Sequence, residues 1–172
     1  MATGLGNQKI GVQLFKRVRW LGEWWTKGLR FVEALDEAPW APLKKPLADC
    51  TVALVTTAGV HLRTDRPFRR RDRDGDPTYR IIPSNVAREL MMITTRHYDH
   101  SAADRDVNVV LPLDRARELV REGRIRALAP QVYSFMGHLS RGHVRTLMQR
   151  TAPEVARRLV QDGADAVVLT PA

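Results

Sequence analysis

Two short apolar runs constrain the fold of this chain more than any other feature. Thr51–Thr56 has the sequence Thr-Val-Ala-Leu-Val-Thr, and Ala166–Thr170 has the sequence Ala-Val-Val-Leu-Thr near the end of the 172 residues. Both are rich in β-branched residues without polar alternation, which is typical of strands buried on both faces. Ligands bind outside the carboxyl ends of such strands in α/β proteins. We therefore expect His61, after the first run, and Thr170 and Pro171, at the end of the last, to meet at one edge of a sheet.

Further strands and helices are predicted between these two runs. Short strands are expected over 79–82 and 90–95, an amphipathic helix over 113–120, and a last helix that begins with Thr151 as its N-cap. Strands and helices that alternate with short connections predict an α/β domain. The expected fold is a three-layer domain with a mainly parallel sheet of the Rossmann or flavodoxin kind.

The N-terminal region predicts an amphipathic helix, because apolar residues recur three or four apart between 8 and 35. Pro39, Pro42 and Pro46 then break any helix. Basic residues in the helix would suit a membrane surface, but its acidic residues would be repelled by anionic lipid. We interpret the segment as a packing arm. The expected domains are a helical arm with a Pro-rich linker over 1–47 and an α/β domain over 48–172.

Composition excludes several classes of protein. The 28 Lys and Arg residues against 19 Asp and Glu give a net charge of +9, which favours acidic partners, but no nucleic-acid-reading module is present. The single cysteine, Cys50, excludes an intramolecular disulfide and a cysteine-rich metal site. No apolar run reaches the roughly 18 residues of a membrane span, and the N-terminal residues lack the apolar region of a signal peptide. We expect a cytoplasmic protein that binds neither nucleic acid nor membrane.

The densest polar cluster contains His97, Asp99, His100 and Asp104. Imidazoles and carboxylates supply tunable acids and bases near neutral pH, so the cluster suits an active-site wall. A structural hydrogen-bond network is an alternative, and a metal site at His97 and His100 would need further ligands, so no metal is predicted.

Three loops add candidates for ligand contact. Thr57 and Gly59 follow the first strand, where Gly59 allows a tight turn beside a ligand. Tyr133 and His138 bound an unusual segment and either line the same pocket or anchor it. The arginine-rich stretch 66–79 is either a solvated loop with an Asp-Gly turn or a contact for a partner or an anionic substrate group.

Missing motifs narrow the chemistry. The chain lacks the Gly-x-x-x-x-Gly-Lys phosphate loop, the Gly-x-Gly-x-x-Gly dinucleotide fingerprint, the Gly-x-Ser-x-Gly elbow and Cys-x-x-Cys. Kinase, classical dehydrogenase and hydrolase functions therefore lose support.

Several segments resemble the selenoprotein B component of the glycine, sarcosine, betaine and D-proline reductases. The resemblance covers 49–172 in order and is carried by 54–61, 75–80, 97–104, 108–115 and 134–137. It implies reductive cleavage of a C–N bond α to a carboxylate, by a selenolate or thiolate, in a small amine or amino-acid substrate. In the family, the segment similar to 168–172 leads directly into the redox-active selenocysteine or cysteine. A pyruvoyl group on a partner subunit is also implied.

The resemblance leads to a specific expectation. We expect a subunit or fragment of such a reductase whose nucleophile is absent from this chain, since Cys50 lies at the opposite end of the first strand. The absence has three explanations: a stop at a selenocysteine UGA codon, a split polypeptide, or a repurposed paralogue. The final strand without a following helix would leave a sheet face uncovered, so a protein partner and an oligomer are expected.

The expected roles of the candidate residues follow from this function. The residues expected to orient the substrate and protonate the leaving amine are His61, His97, Asp99, His100 and Asp104. The residues expected to bind the substrate are Thr57, Gly59, Tyr133 and His138. No cofactor is expected in this chain itself. The alternatives are a non-catalytic assembly subunit and a metal-dependent lyase or hydrolase that uses His97 and His100.

Overall fold

A computed structural model describes residues 41–172, so the helix predicted over 8–35 lies outside the described residues. The strands are β1 (Thr51–Thr56), β2 (Val60–Leu62), β3 (Arg80–Pro83), β4 (Met91–Ile93), β5 (Ala127–Leu128), β6 (Gln131–Ser134) and β7 (Ala166–Thr170). The α-helices are α1 (Ser101–Arg105), α2 (Leu113–Arg121), α3 (Gly142–Thr146) and α4 (Ala152–Gln161). A π-helical turn, Leu147–Thr151, joins α3 to α4.

Strand β1 is the centre of the main sheet, and all six of its residues are buried, as its sequence predicts. On one side it pairs in parallel with β7, from Val52 opposite Ala166 to Thr56 opposite Thr170. On the other side it pairs in parallel first with β5 and then with β6. Strand β3 continues the sheet antiparallel to β6. Because two strands share one side of β1, the sheet is curled as well as mixed.

The predicted α/β class is confirmed, but the three-layer Rossmann- or flavodoxin-like arrangement is not. Strand β3 is antiparallel, and β2 pairs with β4 in a separate two-stranded antiparallel sheet. Only three residues separate β1 from β2. A parallel crossover needs a dozen or more residues, so β2 cannot return beside β1 in parallel and leaves the main sheet.

Hydrophobic cores cover the two faces of the main sheet. On one face Leu54 and Val132 pack in a cluster with Leu113 and Ala116 of α2. On the other face Val155 of α4 packs in a cluster with Val55, Tyr133 and Phe135. The two amphipathic helices therefore hold β1 and β6 between them, which fixes where the carboxyl ends of these strands lie.

Strand β7 is less covered than the rest of the main sheet. Val167, Val168 and Leu169 are 41%, 44% and 69% exposed. Alternate residues of a strand point to opposite faces, so both faces of β7 are partly uncovered by residues 41–172. This exposure agrees with the expectation of an uncovered sheet face.

The last helix begins differently from the prediction. Thr151 makes no capping hydrogen bond, because α3, the π-helical turn and α4 run on without a break. The backbone N–H of Ala152 donates to the carbonyl of Leu147, five residues back. None of the helices in the described part of the chain is both long and apolar enough to cross a bilayer.

Candidate functional site

The carboxyl ends of β1, β6 and β7 meet at one point. The N–H of Thr57, which follows β1, donates to the carbonyl of Thr170 over 3.1 Å. The Thr57 hydroxyl accepts a hydrogen bond of 3.0 Å from the N–H of Ala172. Gly137, beyond β6, lies so close that a Cβ there would meet the Ala172 carbonyl oxygen. The strand ends therefore meet, with Thr57 rather than His61 beside Thr170, and Gly137 is a member that the sequence did not single out.

The turn that follows β1 lies directly next to this meeting of strand ends. Gly59 has φ of +70°, and a Cβ there would lie 2.8 Å from the Thr94 carbonyl oxygen. Its N–H donates to the carbonyl of Phe135 over 2.9 Å. The tight turn predicted at Gly59 is present, but the close neighbour is the backbone at Thr94.

Two of the candidate histidines stack on each other. The ring centroids of His97 and His138 are 4.0 Å apart with an interplanar angle of 15°. Burial, followed by the charges of His138 and Arg96, lowers the pKa of His97 below its usual value. The Nε2 atom of His138 lies 3.2 Å from the carbonyl oxygen of Arg73. The stack therefore joins the segment after β4 to the segment after β6.

The rest of the polar cluster surrounds the start of α1. The Nδ1 atom of His100 lies 2.7 Å from an Asp104 carboxylate oxygen, four residues on, so the carboxylate can orient the imidazole. The Asp99 carboxylate accepts from the N–H of Ser101 over 3.1 Å. His97, His100 and the two acids thus occupy one short segment, in which Asp99 and Asp104 are exposed to solvent.

Tyr98 anchors this segment to the strand ends, a role that the sequence did not indicate. Its hydroxyl donates to the carbonyl of Ala58 over 3.0 Å, and its ring meets His100 edge-on at 5.9 Å. Burial, with the charge of Asp104, raises the pKa of Tyr98 to about 12. The hydroxyl therefore keeps its proton and this hydrogen bond at neutral pH.

His61 lies elsewhere than expected. It belongs to β2 in the small antiparallel sheet and is completely buried, rather than standing in a loop at the end of β1. Its Nδ1 atom lies 2.7 Å from the Leu62 carbonyl oxygen, and its Nε2 atom lies 2.8 Å from the Thr94 hydroxyl. Both ring nitrogens thus have protein partners.

Tyr133 is part of β6 rather than of a loop. Its side chain is completely buried, and its hydroxyl donates to an Asp162 carboxylate oxygen over 2.7 Å. Burial, that hydrogen bond and the negative charge of Asp162 raise its pKa. The structure thus separates Tyr133, in the core beside α4, from His138 in the stack.

The arginine-rich loop is ordered around a buried carboxylate. Asp76 is 2% exposed and accepts hydrogen bonds from the N–H of Arg69 and from both the N–H and the hydroxyl of Thr78. The Ser140 hydroxyl donates to Asp74 over 2.6 Å, which ties the loop to the segment after β6. Arg70, Arg71 and Arg73 remain exposed on this framework, in line with a solvated loop on a fixed base.

The donor set for a metal is incomplete in the described residues. Nowhere between 41 and 172 do three or more His, Cys, Asp or Glu side chains gather closely enough to hold a metal ion. His97 stacks on His138, and His100 pairs with Asp104, so the two candidate ligands face different partners.

These features define a class: an α/β domain with a mixed, curled sheet whose polar and imidazole side chains gather at the strand ends. Within that class, residues 22–172 match the model of one protein family, which is described as "Glycine/sarcosine/betaine reductase selenoprotein B (GRDB)". The chain belongs to this family, which confirms the resemblance seen in its motifs.

Curated relatives agree with this assignment. The chain is 40% identical over 147 residues to the D-proline reductase subunit gamma of Acetoanaerobium sticklandii, a match that covers 84% of this chain and 59% of the relative. It is 33% identical to the betaine reductase complex component B subunit beta of Peptoclostridium acidaminophilum, with 76% of this chain and 29% of the relative covered. It is 31% identical to the glycine reductase complex component B subunit gamma of Carboxydothermus hydrogenoformans, with 80% and 31% covered.

The matches cover only part of each relative's length. The chain spans 59% of the D-proline reductase subunit and about three tenths of the other two. No solved structure matches the chain significantly.

Proposed function

We propose that this chain forms the substrate-side wall of a reductase that cleaves the C–N bond α to the carboxylate of a small amino acid. The observation that carries the proposal is the meeting of Thr57, Gly137 and Ala172 beside the stacked His97 and His138. Three strand ends and a group of tunable acids and bases then share one edge of the sheet. The names of the relatives, which are reductase subunits for D-proline, betaine and glycine, support the reaction class.

The nucleophile in this proposal lies outside the 172 residues. Their single cysteine, Cys50, is completely buried, and its Sγ atom lies 3.3 Å from the Pro46 carbonyl oxygen. It precedes β1, whereas the proposed site follows β1, a separation of roughly 20 Å at the rise of a strand. A selenolate or thiolate supplied by a continuation or by a partner would act near Ala172, where a following helix N-terminus would favour its ionised form.

The proposed displacement uses the histidines of this chain for proton transfer. A lone pair of the nucleophile forms a bond to the α-carbon while the C–N bond breaks, and its electron pair leaves with the amine. The amine takes a proton from an imidazolium of the His97, His138 and His100 group. Asp104 orients His100 for this role over 2.7 Å. Release of the reduced acid then needs two electrons from a dithiol-class reductant, which the proposal assigns to another subunit.

A protein partner is part of the proposal. The relatives in the betaine and glycine systems are named as components of complexes, and β7 offers exposed apolar side chains at Val167 and Leu169. By resemblance, a pyruvoyl group on a partner subunit would hold the substrate amine. We place this assembly in the cytoplasm.

Turnover by the assembled complex tests the proposal. His97→Ala and His100→Ala should each leave assembly intact and lower kcat for amine release by about 10²–10⁴, the usual contribution of general acid catalysis. The matched control is His143→Ala, because His143 contacts the Asp74 carbonyl outside the proposed group. D-proline, glycine and sarcosine serve as the substrates.

The same assay separates the second candidate function, a non-catalytic assembly subunit. The exposed apolar side chains of β7 favour that function. If both histidine variants assemble normally and turn over at the rate of the unmodified chain, the substrate wall is refuted and the assembly role is supported.

A further inference from the structure

The arginine-rich loop over 66–79 presents charges that neither the fold nor the proposed site uses. Its exposed arginines include Arg70, Arg71 and Arg73. None of the three forms an ion pair with another residue of 41–172, whereas Arg69 pairs with Asp72 and Asp76 and is held in the loop. Three positive charges within four residues therefore face solvent without a partner from the described part of the chain.

A further arginine joins these three from the segment that follows β6. Arg141 has a positive φ of +49°, which is strained for a residue other than glycine. Its side chain is 84% exposed, and its Nε atom lies 3.6 Å from an Asp74 carboxylate oxygen. The Ser140 hydroxyl holds the same Asp74 oxygen over 2.6 Å. The strained backbone at Arg141 is thus tied to the loop and adds an exposed cation beside it.

The loop backbone beneath these arginines is fixed against the segment after β6. The carbonyl oxygen of Arg73 lies 3.2 Å from His138 Nε2. Gly75 pairs with Leu139, and a Cβ at Gly75 would collide with the His138 carbonyl oxygen. A loop that is already ordered loses little conformational entropy when it binds, so its arginines are preorganised for a partner.

The surroundings of the arginines favour a protein partner over nucleic acid or lipid. Phe68, the aromatic residue beside them, is buried under the Arg80 guanidinium and cannot stack on a base. The exposed large hydrophobic side chains of residues 41–172 all lie outside 48–89, so the loop has nothing to insert into a lipid surface. What the loop does offer is guanidinium groups, which match carboxylates with paired hydrogen bonds.

We propose that Arg70, Arg71, Arg73 and Arg141 form a docking surface for an acidic surface of another protein. Carboxylates of that partner pair with the exposed guanidinium groups, and the net charge of +9 steers the partner toward the chain. Because Arg73 contacts His138, the partner docks next to the stacked imidazoles. The inference goes beyond the proposed function, since binding at this surface needs no turnover and the two can fail separately.

Peptide binding to the full chain tests the docking surface. The probe is a fluorescent peptide of about twelve residues that alternates Glu and Ala, and its anisotropy is measured at about 0.15 M salt, where distant charges are screened. A peptide with Gln in place of every Glu is the uncharged probe. A single-stranded RNA with the same number of negative charges, and vesicles of anionic lipid, are measured in the same buffer. The Glu peptide should bind saturably, and the Gln peptide should not.

Two triple variants separate the loop from the overall charge. Arg70→Gln, Arg71→Gln and Arg73→Gln, combined in one chain, should weaken binding of the Glu peptide about tenfold or more, because charge-assisted pairs are lost. The matched control combines Lys44→Gln, Arg124→Gln and Arg157→Gln, which removes the same charge from exposed residues outside the loop. The control should weaken binding less than about twofold, because its charges lie away from the peptide and are screened.

Three results would overturn the inference: no saturable binding of the Glu peptide, equal weakening by the loop variant and its control, or tighter binding of the RNA or the vesicles through the same three arginines. Equal weakening would show that net charge alone attracts the peptide. Tighter binding of the RNA or the vesicles would identify a phosphate-binding surface instead. Tm of each variant confirms that it is folded before its affinity is compared.

Discussion

The imidazoles of His97 and His138 lie face to face, with ring centroids 4.0 Å apart. Burial first, and then a positive charge on His138 at this distance, disfavour the protonated form of His97. The pair thus joins two segments of the site through a contact that is weakened when His97 takes up a proton. The titration of His97 is therefore linked to how firmly the strand-end site is held together.

Acid should weaken the fold through His97. Burial, with the charges of His138 and Arg96, holds the pKa of His97 below 6.5, so the folded chain binds this proton less tightly than the unfolded chain does. The contribution of this group to the free energy of unfolding is therefore complete above pH 6.5 and is lost as the pH falls below 6.5. The effect should stay below about 1 kcal/mol, because His97 is exposed and water screens it.

Thermal unfolding between pH 7.5 and 5.5 measures this effect. His97→Phe keeps an aromatic ring against His138 but removes the proton site, so Tm should fall less with acid than in the unmodified chain. An identical pH dependence in both proteins would show that the stack carries no linked proton.

Gly137→Ala should loosen the meeting of the three strand ends. The added Cβ would collide with the Ala172 carbonyl oxygen and lie 3.1 Å from that of Thr57. Overpacking of this kind costs about 1–3 kcal/mol. Gly142→Ala is the matched control, since a Cβ there has nothing within 4 Å. Urea unfolding should show a loss for the first variant and no loss for the second.

The parts of the fold that the sequence predicted are those encoded by local pattern. Strands β1 and β7 follow from runs of apolar residues, and helix α2 follows from the amphipathic pattern over 113–120. Strand β5 has only two residues, too few to show any periodicity. Pairing direction is a tertiary property, so the antiparallel β3 and the separation of β2 and β4 could not be predicted from such runs.

The candidate site was predictable to a similar degree. The cluster around His97 and His100 stood out by composition, and His138 by its unusual segment, but their stacking depends on two distant loops meeting. Thr151 matched an N-cap pattern, yet the preceding π-helical turn makes the helix continuous there. His61 followed a strand in sequence, but the short turn at Gly59 placed it on a strand of another sheet.

Tyr98→Phe should weaken the attachment of segment 97–104 to the turn that follows β1. The variant loses the hydrogen bond of 3.0 Å to the Ala58 carbonyl, which contributes about 1 kcal/mol. Because the pKa of Tyr98 is about 12, the loss should be the same at pH 7 and pH 9. Amide hydrogen exchange of 97–104 should quicken in the variant. Exchange rates equal to those of the unmodified chain would show that the hydroxyl does not hold this segment.

Asp76→Asn should destabilise the arginine-rich loop and the chain with it. Burial alone would raise the pKa of Asp76, but hydrogen bonds from Thr78 and from the N–H of Arg69, with the charge of Arg69, hold it below its usual value. The charged carboxylate also lies 3.8 Å from Arg80, whose guanidinium covers the Phe68 ring at 4.3 Å. Removal of a buried charge from its partners costs about 3 kcal/mol at neutral pH.

Because the folded pKa of Asp76 is depressed, this stabilisation is complete above the unfolded value of 3.8 and is lost as pH falls below it. Asp72→Asn is the matched control: its carboxylate reaches Arg69 only at 4.0 Å near the surface and should contribute less than about 1 kcal/mol. Urea unfolding at pH 7 should therefore separate the two variants by at least about 2 kcal/mol, and equal stability would show that Asp76 does not organise the loop.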